Sequence, residues 1–138
     1  MDVVFLIGRI LFAAIFVVSG LTGHIAQREQ AVPYVRAKGG PAPELMVPLS
    51  GVVIVLGGLS VALGIWADLG ALLLVAFVLS VAPIMHAFWK ESDPQMQQLQ
   101  MAEFMKNIGL AGAGLIVFYA YNQLGDDAGL SITGPLFD

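Results

Sequence analysis

Residues 46–88 read MVPLSGVVIVLGGLSVALGIWADLGALLLVAFVLSVAPIMHAF, and this stretch decides the fold. Two apolar runs, 46–66 and 69–88, are interrupted only by Ala67-Asp68. Each has about the 20 residues that a helix needs to cross a hydrocarbon layer roughly 30 Å thick. So short a break predicts a tight hairpin of membrane helices.

Two further runs of the same kind flank the hairpin, at residues 3–22 and 104–122. The whole chain has 138 residues, of which 58% are hydrophobic and 12% charged. A soluble domain carries about twice that share of charge. The expected fold is all-α, a four-transmembrane-helix bundle of up-down topology, with residues 1–138 forming one domain. The first run lacks a basic leader, and Asp2 precedes it, so it is expected to stay as a helix rather than be cleaved as a signal peptide. A prokaryotic plasma membrane is the expected location, with lipids as the first partner.

Composition also excludes chemistries. The formal charge of −4 is spread over loops and ends, with no basic stripe, so nucleic acid is not an expected partner. The absence of cysteine removes disulfide exchange, thiolate metal sites and thiol nucleophiles. His24, His86 and Glu103 lack the spacing of a metal site. No metal and no intrinsic cofactor are expected.

Between the spans, loop 1 begins with a polar segment that could form a short interfacial helix, which Pro33 and the Gly39-Gly40-Pro41-Ala42-Pro43 string should break. In loop 3, Asp93-Pro94 is a helix start, so the fourth helix should begin in water. Loops 1 and 3 hold Arg28, Arg36, Lys38 and Lys90, which by the positive-inside rule places them in the cytoplasm. The tail from Asp126 onward is acidic and rich in turn formers, and is expected at the surface.

Small residues in the spans mark where helices can approach. Gly20, Gly58, Ala62, Gly64, Gly109, Gly112 and Ala113 are the expected packing positions, several of them small-xxx-small pairs. They serve packing within the bundle or contact with another subunit.

A charge inside a span costs about 2.5–3.5 kcal/mol on insertion scales, so each must face protein or reach an interface. Arg9 shares a helical stripe with Ala13, Phe16, Gly20 and His24, and its nearest acidic candidate is Asp68. Arg9 either forms an orienting staple with Asp68 or a carbonyl, or binds an anion or a quinone carbonyl. At the opposite end, His24, His86, Glu103, Lys106 and Asn107 are expected near one interface. Glu103, Lys106 and Asn107 lie three and four residues apart on one helix face. Together the five could hold a quinone headgroup, an oxyanion or a proton; alternatively Lys106 simply pairs with Glu103.

These residues carry a resemblance. Ile7-Gly8-Arg9-Ile10-Leu11-Phe12 followed by Gly20, the glycine-spaced second span from Ser50-Gly51 to Gly64, His86-Ala87-Phe88-Trp89, and Phe104-Met105-Lys106-Asn107-Ile108-Gly109-Leu110 are similar to the four spans of the DoxX family. The resemblance implies a small four-helix membrane protein. Family members include the DoxD subunit of an archaeal thiosulfate:quinone oxidoreductase, and an actinobacterial relative belongs to a membrane oxidoreductase complex that handles thiol stress. It therefore implies an accessory subunit of a redox complex, with a protein partner and a quinone or small-anion site. Shared fold does not license shared reaction. Two other readings stand beside it: a non-catalytic assembly protein, and a small anion transporter lined by Arg9 and Lys106.

Overall fold

The computed structural model describes residues 1–137. The chain is all-helical there: α1 (Asp2–Ser19), α2 (Arg28–Ala37), α3 (Pro43–Leu63), α4 (Ala67–Met85) and α5 (Pro94–Leu124). A π-helical stretch, Gly20–Ala26, extends α1, and single 3-10 turns follow α4 and α5 at Phe88–Lys90 and Gly125–Asp127. Four segments are long and apolar enough to cross a membrane: Asp2–Ala26, Pro43–Leu63, Ala67–Lys90 and Pro94–Asp127.

Their packing explains that composition. Leu11, Leu56, Leu79 and Ile116 are exposed on the outer faces of the helices. In water such surfaces would drive aggregation, whereas hydrocarbon solvates them. The inner stripe is made of Phe16, Ile54, Val61, Ala71, Leu74, Val75, Val78 and Ala111. These side chains come from all four spans, so the core lies on the axis between them.

Glycine sets the closest approaches. A Cβ on Gly58 would stand 2.8 Å from Val17 Cγ2 and 3.2 Å from the Ala13 carbonyl, and one on Gly20 would stand 2.9 Å from the Gly51 carbonyl. The backbones of α1 and α3 therefore touch. Gly70 plays the same part between α4 and α3, where a Cβ would meet Ser60. Gly109 and Gly112 differ from expectation: both are exposed, with nothing near the space a Cβ would take. The α5 face that packs inward carries Gln100, Asn107, Ala111, Gly114 and Tyr121 instead. Ala62 and Ala113 are half-buried.

Loop 1 also departs from expectation. Pro33 sits inside α2 rather than ending it. Its missing N–H frees only the carbonyl of Glu29, an exposed residue, so water can take the bond. The break comes at Gly39, whose φ of 79° suits glycine alone. As its sequence signals, α5 starts at Pro94, with Asp93 Oδ2 accepting from the Met96 N–H at 2.9 Å.

The tail lies at the surface, as expected, with most of its residues exposed or half-buried, and is pinned there against the end of the bundle. Only Gly64, Ile65 and Trp66 separate α3 from α4, and Gly64 (φ 65°) and Trp66 (φ 45°) are both left-handed. The Gly64 carbonyl accepts from the N–H groups of Ile132 (3.0 Å) and Thr133 (2.9 Å), and Trp66 N–H donates to Thr133 Oγ1 at 2.9 Å. Backbone groups left without helical partners at this three-residue break are thus satisfied by the tail.

Candidate functional site

Two polar centres stand at opposite reaches of the first span. The first surrounds Arg9, which is fully buried. Its guanidinium donates to Ser131 Oγ (2.7 Å), to the Leu130 carbonyl (2.8 Å) and to the Tyr121 hydroxyl, and lies 5.2 Å from the centre of the Phe5 ring. Asp68, also fully buried, accepts at Oδ2 from the backbone N–H groups of Leu136 (2.8 Å) and Phe137 (2.7 Å). Of the two staples expected for Arg9, the one to a carbonyl is formed, at Leu130, and the one to Asp68 is not. Each charge grips a different part of the tail, because the tail offers hydroxyls, carbonyls and amides at close range. Arg9 and Asp68 are the two clamps of a terminal cap.

The second centre is a cavity of about 470 Å³ bounded by the π-helical end of the first span, α2, α3 and α4. Its size suits a small organic molecule. The walls are mainly apolar, with Tyr34, Val35, Met46, Phe77, Val81 and Ile84 among them, and both histidines line it. Met46, Ser80 and Ile84 are also exposed, so the cavity reaches the outer surface of the spans.

The π-helical stretch places His24. Gln27 N–H donates to the Thr22 carbonyl at 3.0 Å, five residues back, and this wider turn carries His24 against Gly51, where a Cβ would stand 2.6 Å from its own Cβ. His24 Nδ1 is 2.9 Å from Ser50 Oγ and 3.3 Å from the Val47 carbonyl, and the ring meets Phe77 edge-on. His86 caps the end of α4, with Nδ1 at 2.8 Å from Gln100 Oε1 of α5.

Of the five residues expected at this end, the structure brings only His24 and His86 to the cavity. Glu103 and Lys106 form an ion pair with each other on α5 and do not line it. Asn107 is buried on the α5 inner stripe, away from the lining. The partners that fix the histidines, Ser50 and Gln100, were not singled out as site residues from sequence. Gln100 carried a signal nonetheless: seven residues before Asn107, it shares that helix face. Among the described residues no group of three or more His, Asp or Glu could hold a metal ion.

Above the cavity, a salt bridge of 2.8 Å between Lys38 Nζ and Glu91 Oε1 joins loop 1 to loop 3. The hydrogen bond that Lys38 donates to Glu91 raises the Lys38 pKa above the ordinary 10.5, outweighing the opposing effect of desolvation. Because the folded value is the higher one, the link contributes fully below pH 10.5 and is lost as pH rises through the raised value. The protection of the Gly39 and Gly40 amides, measured as exchange relative to the base-catalysed rate of an open chain, should therefore fall in strong alkali, and also in high salt, which screens a partly exposed pair. Glu91→Gln should abolish both dependences; retention of the pH response in that variant would remove the link from the explanation.

An all-helical chain with four apolar spans, few charges and an internal cavity defines a small multi-pass membrane protein. A profile of the DoxX family matches residues 4–87, more than half of the chain. The chain belongs to the DoxX family. The inner membrane protein YphA of Escherichia coli (strain K12) is 29% identical over 133 residues, covering 96% of this chain and 84% of that protein. No solved structure matches. The protein is a multi-pass protein of the inner (plasma) membrane.

Proposed function

We propose that this chain is an accessory subunit of a membrane redox complex, and that the His24–His86 cavity holds the ring headgroup of a lipid-soluble quinone. The observation that carries the reading is the cavity itself: apolar walls, two imidazoles, and lining residues that reach the lipid-facing surface. A membrane-dissolved ring compound can enter from the bilayer and find the two imidazoles among a few hydroxyl groups in otherwise apolar walls. Electron transfer would come from a partner protein. In this arrangement the spans alternate in direction, α3 and α4 form a hairpin, and loops 1 and 3 face the cytoplasm.

The cavity suits such a headgroup in size, and its two imidazoles can hydrogen-bond the oxygen substituents of the ring. In the fold, His24 and His86 bind and orient the ring, Ser50 and Gln100 hold the imidazoles in place, and α2 with the Lys38–Glu91 link shields the cavity from water.

His24→Ala and His86→Ala in the full chain should each weaken binding of a short-tailed quinone or quinol probe by about tenfold or more, with membrane abundance unchanged. Lys106→Ala should leave binding intact, because its ammonium is engaged with Glu103 outside the cavity. Photo-crosslinking to the chain in lipid nanodiscs of an azido-quinone probe, run in both its oxidised and its reduced form, measures all three. Equal labelling of wild type and both histidine variants would sink the reading.

A second reading, pure assembly, is favoured by the outward placement of Gly109 and Gly112. Loss of a co-purifying partner in Gly112→Leu, together with unaltered redox function in the histidine variants, would establish it. Anion transport is the weakest of the three readings, since neither Arg9 nor Lys106 lines the cavity.

A further inference from the structure

Hydrogen-bond polarity inside the cavity goes beyond its size. Ser50 Oγ donates to the Val47 carbonyl at 3.0 Å, which uses its only proton. His24 Nδ1 faces both that oxygen at 2.9 Å and the carbonyl at 3.3 Å, and a carbonyl can only accept. The arrangement that satisfies both contacts puts the ring proton on Nδ1. The same holds for His86: its Nδ1 meets Gln100 Oε1 at 2.8 Å, while the Gln100 amide N–H group is turned to Met96 Sδ at 3.8 Å. Gln100 is buried, and this orientation gives both ends of its amide a partner.

With Nδ1 protonated, a neutral imidazole offers Nε2 only as an acceptor. Neither Nε2 has a partner among the described residues, and neither is sealed off from the surface. The cavity thus presents two lone pairs and no histidine donor. An oxidised quinone offers carbonyl oxygens, which are acceptors too. Placing them against Nε2 would set lone pair against lone pair and leave both groups desolvated without a bond. A quinol offers two O–H donors on the same ring skeleton.

We infer that the cavity selects the reduced, dihydroxy form of its ring ligand, with His24 Nε2 and His86 Nε2 accepting hydrogen bonds from its hydroxyls. This rests on the quinone-site reading and gives that site a redox preference. His24 and His86 are specificity-determining groups, and Ser50 and Gln100 act through them by fixing the tautomers. Binding the donor form favours a subunit that receives or stores quinol rather than one that presents quinone for reduction.

The test uses the full chain in lipid nanodiscs under anaerobic conditions with three probes: duroquinone, its quinol, and the dimethyl ether of that quinol. The ether keeps ring and bulk but has no O–H. Equilibrium dialysis should give quinol binding at least about tenfold tighter than quinone or ether. Gln100→Leu should erase much of that preference, because its His86 ring is then free to take the other tautomer. Nitrogen NMR of labelled histidine should show Nε2 unprotonated in the free protein and shifted by quinol alone. Equal binding of quinol and ether, or tighter binding of quinone, would overturn the selectivity while leaving a ring-binding site. Failure of all three probes to bind would overturn the quinone-site reading itself.

Discussion

Gly58→Leu is expected to leave little folded protein in the membrane, while Gly112→Leu is expected to leave stability unchanged. Both are glycine-to-leucine changes within apolar spans, so insertion energetics and helix propensity shift equally. They differ in what surrounds them. At Gly58 even a Cβ would lie 3.2 Å from the Ala13 carbonyl, a backbone atom that can move only if α1 moves. A full leucine side chain must push α1 off α3 and separate Phe16 from Ile54 in the core. Overpacking alone costs about 1–3 kcal/mol, and displacing a backbone adds to it, against a total stability of about 5–15 kcal/mol. At Gly112 the space is open. Thermal unfolding of the two variants in mild detergent should separate them by many degrees. Comparable melting would mean that the α1–α3 contact contributes little.

The second large effect should come from Arg9→Met. Methionine is much cheaper to insert than arginine, so a loss of folded protein cannot be ascribed to failed insertion. What is lost is a buried fork that joins α1 to Tyr121, Leu130 and Ser131. The Leu130 carbonyl loses its donor, and hydrogen bonds to a charged group are worth about 1.5–3 kcal/mol each. A destabilisation of about 3 kcal/mol or more follows. Limited proteolysis should then cut the tail between Asp126 and Thr133 in the variant and spare it in the wild type. Arg9→Lys should restore only part of the protection, since an ammonium cannot reproduce the planar fork. An uncut tail in Arg9→Met would show that Asp68 and the Gly64 carbonyl suffice to hold it.

The four spans were legible because membrane solvation writes itself into composition: twenty apolar residues in a row have few other uses. The Arg9–Ala13–Phe16–Gly20 stripe was legible for a similar reason, as the helical repeat alone brings these residues to one side, and all four are buried. The partner of Arg9 was legible only in kind: a carbonyl was one of the two staples expected, and Leu130 supplies it. Which carbonyl, and the Ser131 hydroxyl beside it, could not be read, because the tail has no helical period to point to them. At the other end, periodicity put Glu103, Lys106 and Asn107 on one face, yet α5 turns only Asn107 inward. A helix with small residues on two sides, Gly109 and Gly112 on one and Ala111 and Gly114 on the other, does not announce which side is the core. The cavity was hidden for a further reason. Its roof is α2, a polar segment whose position follows from tertiary packing, and the π-helical turn that aims His24 has no simple sequence pattern.

The terminal cap also sets an order of events during synthesis. Arg9 leaves the ribosome 122 positions before its partner Ser131. Through the making and insertion of every span between them, the guanidinium has none of its tail ligands. Water at the membrane surface or the insertion machinery must solvate the charge until Leu130 and Ser131 emerge. Closure of the bundle therefore waits on residues 130–137, and a chain cut before Leu130 carries all four spans without the groups that hold Arg9 and Asp68.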